Sequence, residues 1–183
     1  MTLEYPEPPL SDGKVALRPW SEDDLPLVEK VSADDYIALI ERIPAPYSAE
    51  GGVSWIARQQ EQVVQDRGWS FAVVDASDNR PVGGTGITFR HPPGAAEPGI
   101  WVVADRRRCG IATRATKLLC SWALTSATGI ERIQATVEPW NVASQRTLEK
   151  VGFQREGLLR SYASWNDERR DVLLYSLLAS DLH

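Results

Sequence analysis

The 183-residue chain predicts a mixed α/β fold, a single β-sheet with helices packed on it. Three observations carry this expectation. Short strand-like stretches and amphipathic helical stretches follow one another in the order strand, helices, three strands, helix, strand, helix, two strands. The length suits one core, since domains run to roughly 100–200 residues. A hydrophobic content of 43% and a charged content of 25% are those of a soluble globular chain and argue against wholesale disorder.

Taken in order, residues 1–13, with Pro6, Pro8 and Pro9, read as a flexible N-terminal arm, and residues 14–183 as one domain. Lys14 to Arg18 alternates as a first strand, with Val15 and Leu17 on one face. Ser21 stands as an N-cap ahead of Glu22, Asp23 and Asp24, predicting a helix that runs towards Val31. A second short helix spans Asp34 to Ile43 and stops at Pro44 and Pro46. Ser48 caps a longer one to Asp66, stopped by Gly68. Trp69–Val74 is a strand, Asp75–Asn79 a turn, and Pro81–Phe89 a returning strand whose three glycines make it weak on propensity alone. Arg90–Ala96 reads as loop and Pro98–Val103 as the next strand. Gly110–Leu124 is the strongest helix, with Ile111, Ala115, Leu118, Leu119, Trp122 and Ala123 at helical spacing and Gly129 as its C′ residue. Arg132–Val137 alternates as a strand. Asn141 caps a helix over Val142–Lys150, closed by Gly152. Phe153–Arg160 and Arg170–Leu178 complete the sheet, the last apolar on both faces.

Charge and composition exclude several functions. With 20 Lys+Arg against 25 Asp+Glu the net charge is −5, the opposite of the basic face of a general nucleic-acid binder. Two cysteines, Cys109 and Cys120, and two histidines, His91 and His183, supply neither a disulfide framework nor the usual structural zinc cluster, and no metal is expected. The N-terminus has acids and prolines where a signal peptide has a basic start and an apolar core, and no window approaches the ~20 apolar residues of a membrane span. The expected setting is cytoplasmic, with free thiols.

The segment from Ile100 to Thr113 carries the chemistry, as a strand leading through a basic loop into a helix start. A helix start offers about four unpaired N–H groups and roughly half a positive charge, a natural anion site. Gly110 and Ala112 let a phosphate approach, and Arg106, Arg107 and Arg108 add guanidinium groups. Three arginines before a helix, taken alone, more often form a solvated turn. The loop has neither GxxxxGK[ST] nor GxGxxG, which disfavours P-loop and dinucleotide-binding sites.

Further residues give this loop a context. Arg107-Arg-Cys-Gly110-Ile-Ala112 fits a [QR]-x-x-G-x-[GA] pattern and is followed by Thr113. Downstream stand Asn141-Val-Ala-Ser144, Leu148-Glu-Lys150-Val-Gly152-Phe153 and Glu156-Gly157, then Arg170-Asp-Val-Leu-Leu-Tyr-Ser176, with Leu17-Arg18-Pro-Trp20…Asp24 at the front. From about Lys14 onward the chain resembles the GNAT superfamily of acyl-CoA N-acyltransferases, in the branch typified by RimJ and RimL. The resemblance implies a mixed, mostly antiparallel sheet with helices on both faces and a splayed central strand pair. It also implies acetyl-CoA as co-substrate, its pantetheine arm along Trp101, Val102 and Val103 and its pyrophosphate on the amides of Arg108, Cys109, Gly110, Ile111, Ala112 and Thr113. Asn141 is carried over as a pantetheine contact, although by geometry it is equally a helix cap.

Acyl transfer to an amine needs a proton acceptor, an oxyanion donor and a proton for the leaving thiolate. No Ser-His-Asp or Cys-His set is present, which points to direct attack in a ternary complex. The resemblance implies the Val102 N–H for the oxyanion and Ser144 for the thiolate, unless that hydroxyl only bonds its own backbone. Glu97 and Glu138 are the candidate bases, Glu97 slightly preferred, or both are solvated strand-end charges. The branch often has His where Glu138 stands. Cys109 reads as a variable loop residue and Cys120 as core. Trp20, Trp55, Trp140 and Trp165 fall in or beside turns and helices that, by the resemblance, shape the acceptor cleft, or they are ordinary packing, and Asp34, Asp35 and Glu41 either favour a cationic amine or form a solvated face. The expected acceptor is a primary amine, on a protein N-terminus or a small molecule; dimers are common in the branch. A larger donor such as succinyl-CoA, or a non-catalytic acyl-CoA-binding module, are the alternatives.

Overall fold

Residues alternating in and out, and helical stripes broken by caps and glycines, set the elements. The computed structural model describes residues 3–126, 128–165 and 168–182. They form two compact units, Met1–Thr88 with Gly99–Leu119, and Phe89–Pro98 with Cys120–His183.

In the first unit β1 (Leu10–Ser11), β2 (Val15–Arg18), β3 (Gly68–Asp75) and β4 (Pro81–Arg90) lie side by side, antiparallel, with pairs such as Leu10↔Leu17, Leu17↔Val73 and Phe71↔Thr85. The C-terminal part of β5 (Ala95–Val102) follows β4: the Thr85 hydroxyl donates to the Gly99 carbonyl and the Val103 N–H to Val82. Helices α1 (Leu25–Ser32), α2 (Asp35–Glu41) and α3 (Ala49–Val64) precede β3, and α4 (Ile111–Thr125) follows β5. Asp34 and Ser48 cap α2 and α3 by accepting from Ile37 N–H and Gly51 N–H. Trp20, Val28, Ile37, Trp55, Ile56, Ala72, Trp101 and Val103 share one buried cluster.

The weak-looking strand β4 has a packing reason for its glycines. A Cβ on Gly83 would lie 2.2 Å from the Trp101 carbonyl oxygen, one on Gly84 2.7 Å from the Trp101 indole, and one on Gly86 2.7 Å from the Trp69 carbonyl oxygen. Only glycine lets these neighbours approach. The motif around Arg18 is structural too. The fully buried Asp24 carboxylate accepts both Arg18 Nη atoms at 2.7 and 2.8 Å and the Ser21 N–H at 3.0 Å, so the buried charge is paired and hydrogen-bonded.

In the second unit the N-terminal part of β5 pairs in parallel with β6 (Arg132–Val137) through Ala95↔Arg132 and Ala96↔Ile133, where the ladder ends although both strands continue. β6 pairs antiparallel with β8 (Glu168–Leu178), and β8 with β7 (Gln154–Trp165). Helix α5 (Val142–Val151) ends on Gly152 at φ +112°, as a C-cap glycine should. The described residues thus form a mixed α/β architecture of eight mostly antiparallel strands and five α-helices.

Four expectations differ from the structure. The segment before Lys14 is fastened rather than loose: Leu3 is buried, the Tyr5 hydroxyl donates to the Ser70 carbonyl, the Trp69 indole donates to the Glu4 carbonyl, and Leu10–Ser11 is a strand. β5 starts at Ala95, inside the expected loop, because Ala95 and Ala96 find partners in β6. β7 runs on to Trp165 by pairing with β8. α4 stops at Thr125, so Gly129 lies too far on to cap it and serves instead the turn before the buried Ile130.

Candidate active site

The loop between β5 and α4 has the local geometry of an anion cradle. Arg108 and Gly110 are left-handed, at φ 62° and 77°. The first intrahelical bond runs from Arg114 N–H to the Gly110 carbonyl, leaving the amides of Ile111, Ala112 and Thr113 without helical partners. A Cβ on Gly110 would meet nothing within 4 Å, so the space beside the loop is open. The donors and the space fit a phosphate.

The arginines are less free than their spacing suggests. Arg106 Nη2 binds Asp75 at 2.7 Å, Arg114 Nη1 binds Asp12 at 2.6 Å, and Arg107 donates through Nε to the Val102 carbonyl at 3.0 Å and through Nη2 to Asp34 at 2.7 Å. Each acid answers electrically. Hydrogen bonds from Ser77 and then Arg106 hold Asp75 down at about 2. For Asp34, burial acts upward, but the Ile37 amide and Arg107 outweigh it and hold the carboxyl below its ordinary value. A cleft of about 390 Å³ opens beside the loop, lined in part by Lys14, Asp75, Arg106, Cys109, Ile111 and Arg114. The exposed Cys109 thiol donates weakly to the Arg107 carbonyl at 3.5 Å. Trp101, Val102 and Val103 are buried. Because Val103 gives its N–H to β4, strand alternation turns the Val102 N–H away from β4.

The second unit holds Glu97, Glu138, Asn141 and Ser144. Glu97 lies within β5 rather than ahead of it, and its carboxylate accepts from Arg90 Nε at 2.8 Å and from the Thr136 hydroxyl at 3.1 Å. Glu138 is 6% exposed and accepts from Arg170 Nη1 at 3.0 Å. Neither carboxylate is therefore a solvated strand-end charge. Asn141 Oδ1 accepts the Ser144 N–H at 3.1 Å, confirming the cap and leaving the amide nitrogen of Asn141 for other partners. The Ser144 hydroxyl, half-buried, bonds no described residue, so it is not spent on its own backbone.

Aromatic expectations divide. Trp20 and Trp55 are core, not cleft: their rings meet edge to face at 4.9 Å, Trp20 Nε1 donates to Ser70 and Trp55 Nε1 to the Glu41 carbonyl. Trp140 is exposed, and the side chain of Trp165 lies outside the described residues, as does His183. Tyr175 is buried with its hydroxyl 3.4 Å from Glu149, and Tyr162 is exposed. Cys120 is core, and burial pushes its thiol up. Glu41 is half-buried, and burial pushes its carboxyl up to about 7, unlike an acid on a solvated face. Asp34 went unassigned to the loop by sequence because 73 residues separate it from Arg107. Among the described residues no group of acids, cysteines and histidines could hold a metal, and no helix is long and apolar enough to cross a membrane.

Comparison with known proteins bears on this geometry. A family model described as acetyltransferase (GNAT) domain matches residues 14–154. The chain is 28% identical over 174 residues to a probable N-acetyltransferase, YjcK, of Bacillus subtilis, covering 93% of this chain and 90% of the relative. It is 32% identical over 157 residues to an uncharacterized N-acetyltransferase, YjdG, of the same organism, covering 78% and 89%. Among solved structures it is similar to Mycobacterium smegmatis RimJ in complex with CoA-disulfide, with a TM-score of 0.80, 28% identity, and coverage of 95% of this chain and 87% of that one.

Proposed function

The chain belongs to the GNAT acetyltransferase family, and from that premise we propose that it moves the acetyl group of acetyl-CoA to a primary amine by direct attack in a ternary complex. The observation that carries this reading is the helix start at Gly110, with three amides that have no helical partners and open space beside them, in a chain whose family is acyl-CoA-dependent. The CoA present in the RimJ neighbour supports CoA as the carrier.

In this reading the pyrophosphate lies on the amides from Arg108 to Thr113, and the pantetheine arm takes backbone groups of Trp101 to Val103 and the amide nitrogen of Asn141. The acceptor nitrogen attacks the thioester carbon, and the oxyanion that forms takes the Val102 N–H. As the C–S bond breaks, the Ser144 hydroxyl gives its proton to the thiolate and takes one back from water, into which Glu97 releases the proton it receives from the amine. The proton lost by the amine passes to Glu97, directly or through a water. Each carboxylate is paired with an arginine, Glu97 with Arg90 and Glu138 with Arg170, and Glu97 is preferred because its side chain keeps 28% of its accessibility and that of Glu138 only 5%. Glu138 then holds Arg170 in place. The acceptor is a protein N-terminus or a small-molecule amine.

The test is thiol release from acetyl-CoA and succinyl-CoA with spermidine, tryptamine, 2-phenylethylamine and an alanine-initiated hexapeptide. The expected result is release with acetyl-CoA and at least one amine. Release only with succinyl-CoA would change the donor, and release with neither, despite CoA binding, would defeat the proposal. Gly110→Glu puts a carboxylate and a strained φ where the phosphate lies, and is expected to raise the Kd for CoA at least about tenfold by calorimetry.

A further inference from the structure

Resting on the reading above that the Val102 N–H receives the oxyanion, we propose that Asp34 is a positioning residue for acyl transfer, holding the end of β5 in place through Arg107. The connection is continuous. Asp34 Oδ1 accepts the Ile37 N–H at 3.1 Å and so caps α2, while its Oδ2 accepts Arg107 Nη2 at 2.7 Å. Arg107 spends its Nε on the Val102 carbonyl at 3.0 Å. The peptide joining Val102 to Val103 is thereby held at both ends, its oxygen by Arg107 and its N–H by the Val82 carbonyl at 3.0 Å. A peptide plane fixed at both ends restricts rotation about Val102, and with it the direction of the Val102 N–H.

The other end of α2 reaches the same strand by a second route. Glu41, its last residue, accepts the Trp55 indole N–H through its carbonyl at 2.9 Å. Trp55 meets Trp20 edge to face at 4.9 Å, and Trp20 stacks on Trp101 at 6.0 Å and 19°. Trp101 immediately precedes Val102. Helix α2 is thus a strut fastened at its start to the residue that bears the donor and at its end to the residue before it. The Arg107–Asp34 pair is partly exposed, so its role is in geometry more than in stability. Without the carboxylate the guanidinium is free to turn to solvent, and the Val102 carbonyl loses its donor.

Asp34→Asn separates positioning from capping, since asparagine caps as well as aspartate but brings no charge to Arg107. With acetyl-CoA and the most reactive amine of the panel, the expected result is a kcat about tenfold lower, a Kd for CoA within about twofold of wild type, and displaced amide resonances for Val102 and Val103. Asp34→Glu, which restores the carboxylate, is expected to recover part of the kcat. A kcat within about twofold of wild type with both resonances unmoved would overturn the proposal, as would a loss carried wholly by CoA affinity. If the wild-type protein releases no thiol, the underlying reading fails. The two resonances then decide by themselves whether Asp34 holds the strand.

Discussion

Asn141 caps its helix, while the Ser144 hydroxyl bonds no described residue, and sequence alone leaves the two entangled. Both stand at a helix start, where either side chain can satisfy the backbone, and the Ser144 N–H, donated to Asn141 Oδ1, assigns the cap to Asn141. The consequence is a pair of separable effects. Asn141→Ala is expected to cost about 1 kcal/mol of stability in urea denaturation, the usual value of a lost cap. Ser144→Ala is expected to leave stability and CoA affinity near wild type while lowering kcat by roughly tenfold or more, as loss of a positioned acid does. An unchanged kcat removes Ser144 as the proton donor. Glu97 and Glu138 show the opposite limit of sequence reading. Their presence near strand ends is visible, but their partners Arg90, Thr136 and Arg170 follow from pairing in space, and those partners decide which carboxylate stays accessible.

Elements were legible where a local signal was strong and obscure where tertiary pairing made them. Helices α3, α4 and α5 announce themselves through caps, spacing and breakers, and β3 through an apolar run. Strand β1 has two residues and exists because Leu10 and Ser11 pair with Leu17 and Ala16, which no local propensity foretells. The arginine-rich loop was visible as a loop, while its fastening to Asp12, Asp34 and Asp75 depends on acids far away in sequence. Strand β4 is the most instructive case. Its glycines depress strand propensity, yet they are what Trp69 and Trp101 require. Gly83→Ala places a Cβ against the Trp101 carbonyl, a backbone atom that cannot swing aside. A loss of about 1–3 kcal/mol is expected in thermal or urea unfolding, the range for overpacking. A wild-type midpoint would mean that β4 and β5 part without cost.

For the molecule as a whole, two sets of acids pull stability in opposite directions as pH changes. Asp75 is held at about 2 by Ser77 and Arg106, and Asp12 and Asp34, despite burial acting upward, are held below their ordinary value by backbone amides and by Arg114 and Arg107. These groups bind protons less readily when folded. Their contribution is therefore present above the ordinary value of 3.8 and disappears as pH falls towards 2. Glu41 behaves in the reverse sense, because burial raises its carboxyl from 4.5 to about 7. Between those values the folded chain holds more protons than the unfolded one, so stability declines as pH rises through the window. Together the two sets predict a maximum between about pH 4 and 5, with an acid limb owed to the aspartates and a neutral limb owed to Glu41. Melting temperatures measured at pH 3, 5 and 8 should be highest at pH 5. Glu41→Gln keeps the shape of the side chain but cannot ionise, so it should flatten the fall from pH 5 to 8 and leave the acid limb intact. If the fall persists in that variant, Glu41 is not its source, and repulsion among the other acids of this net-negative chain becomes the explanation to test.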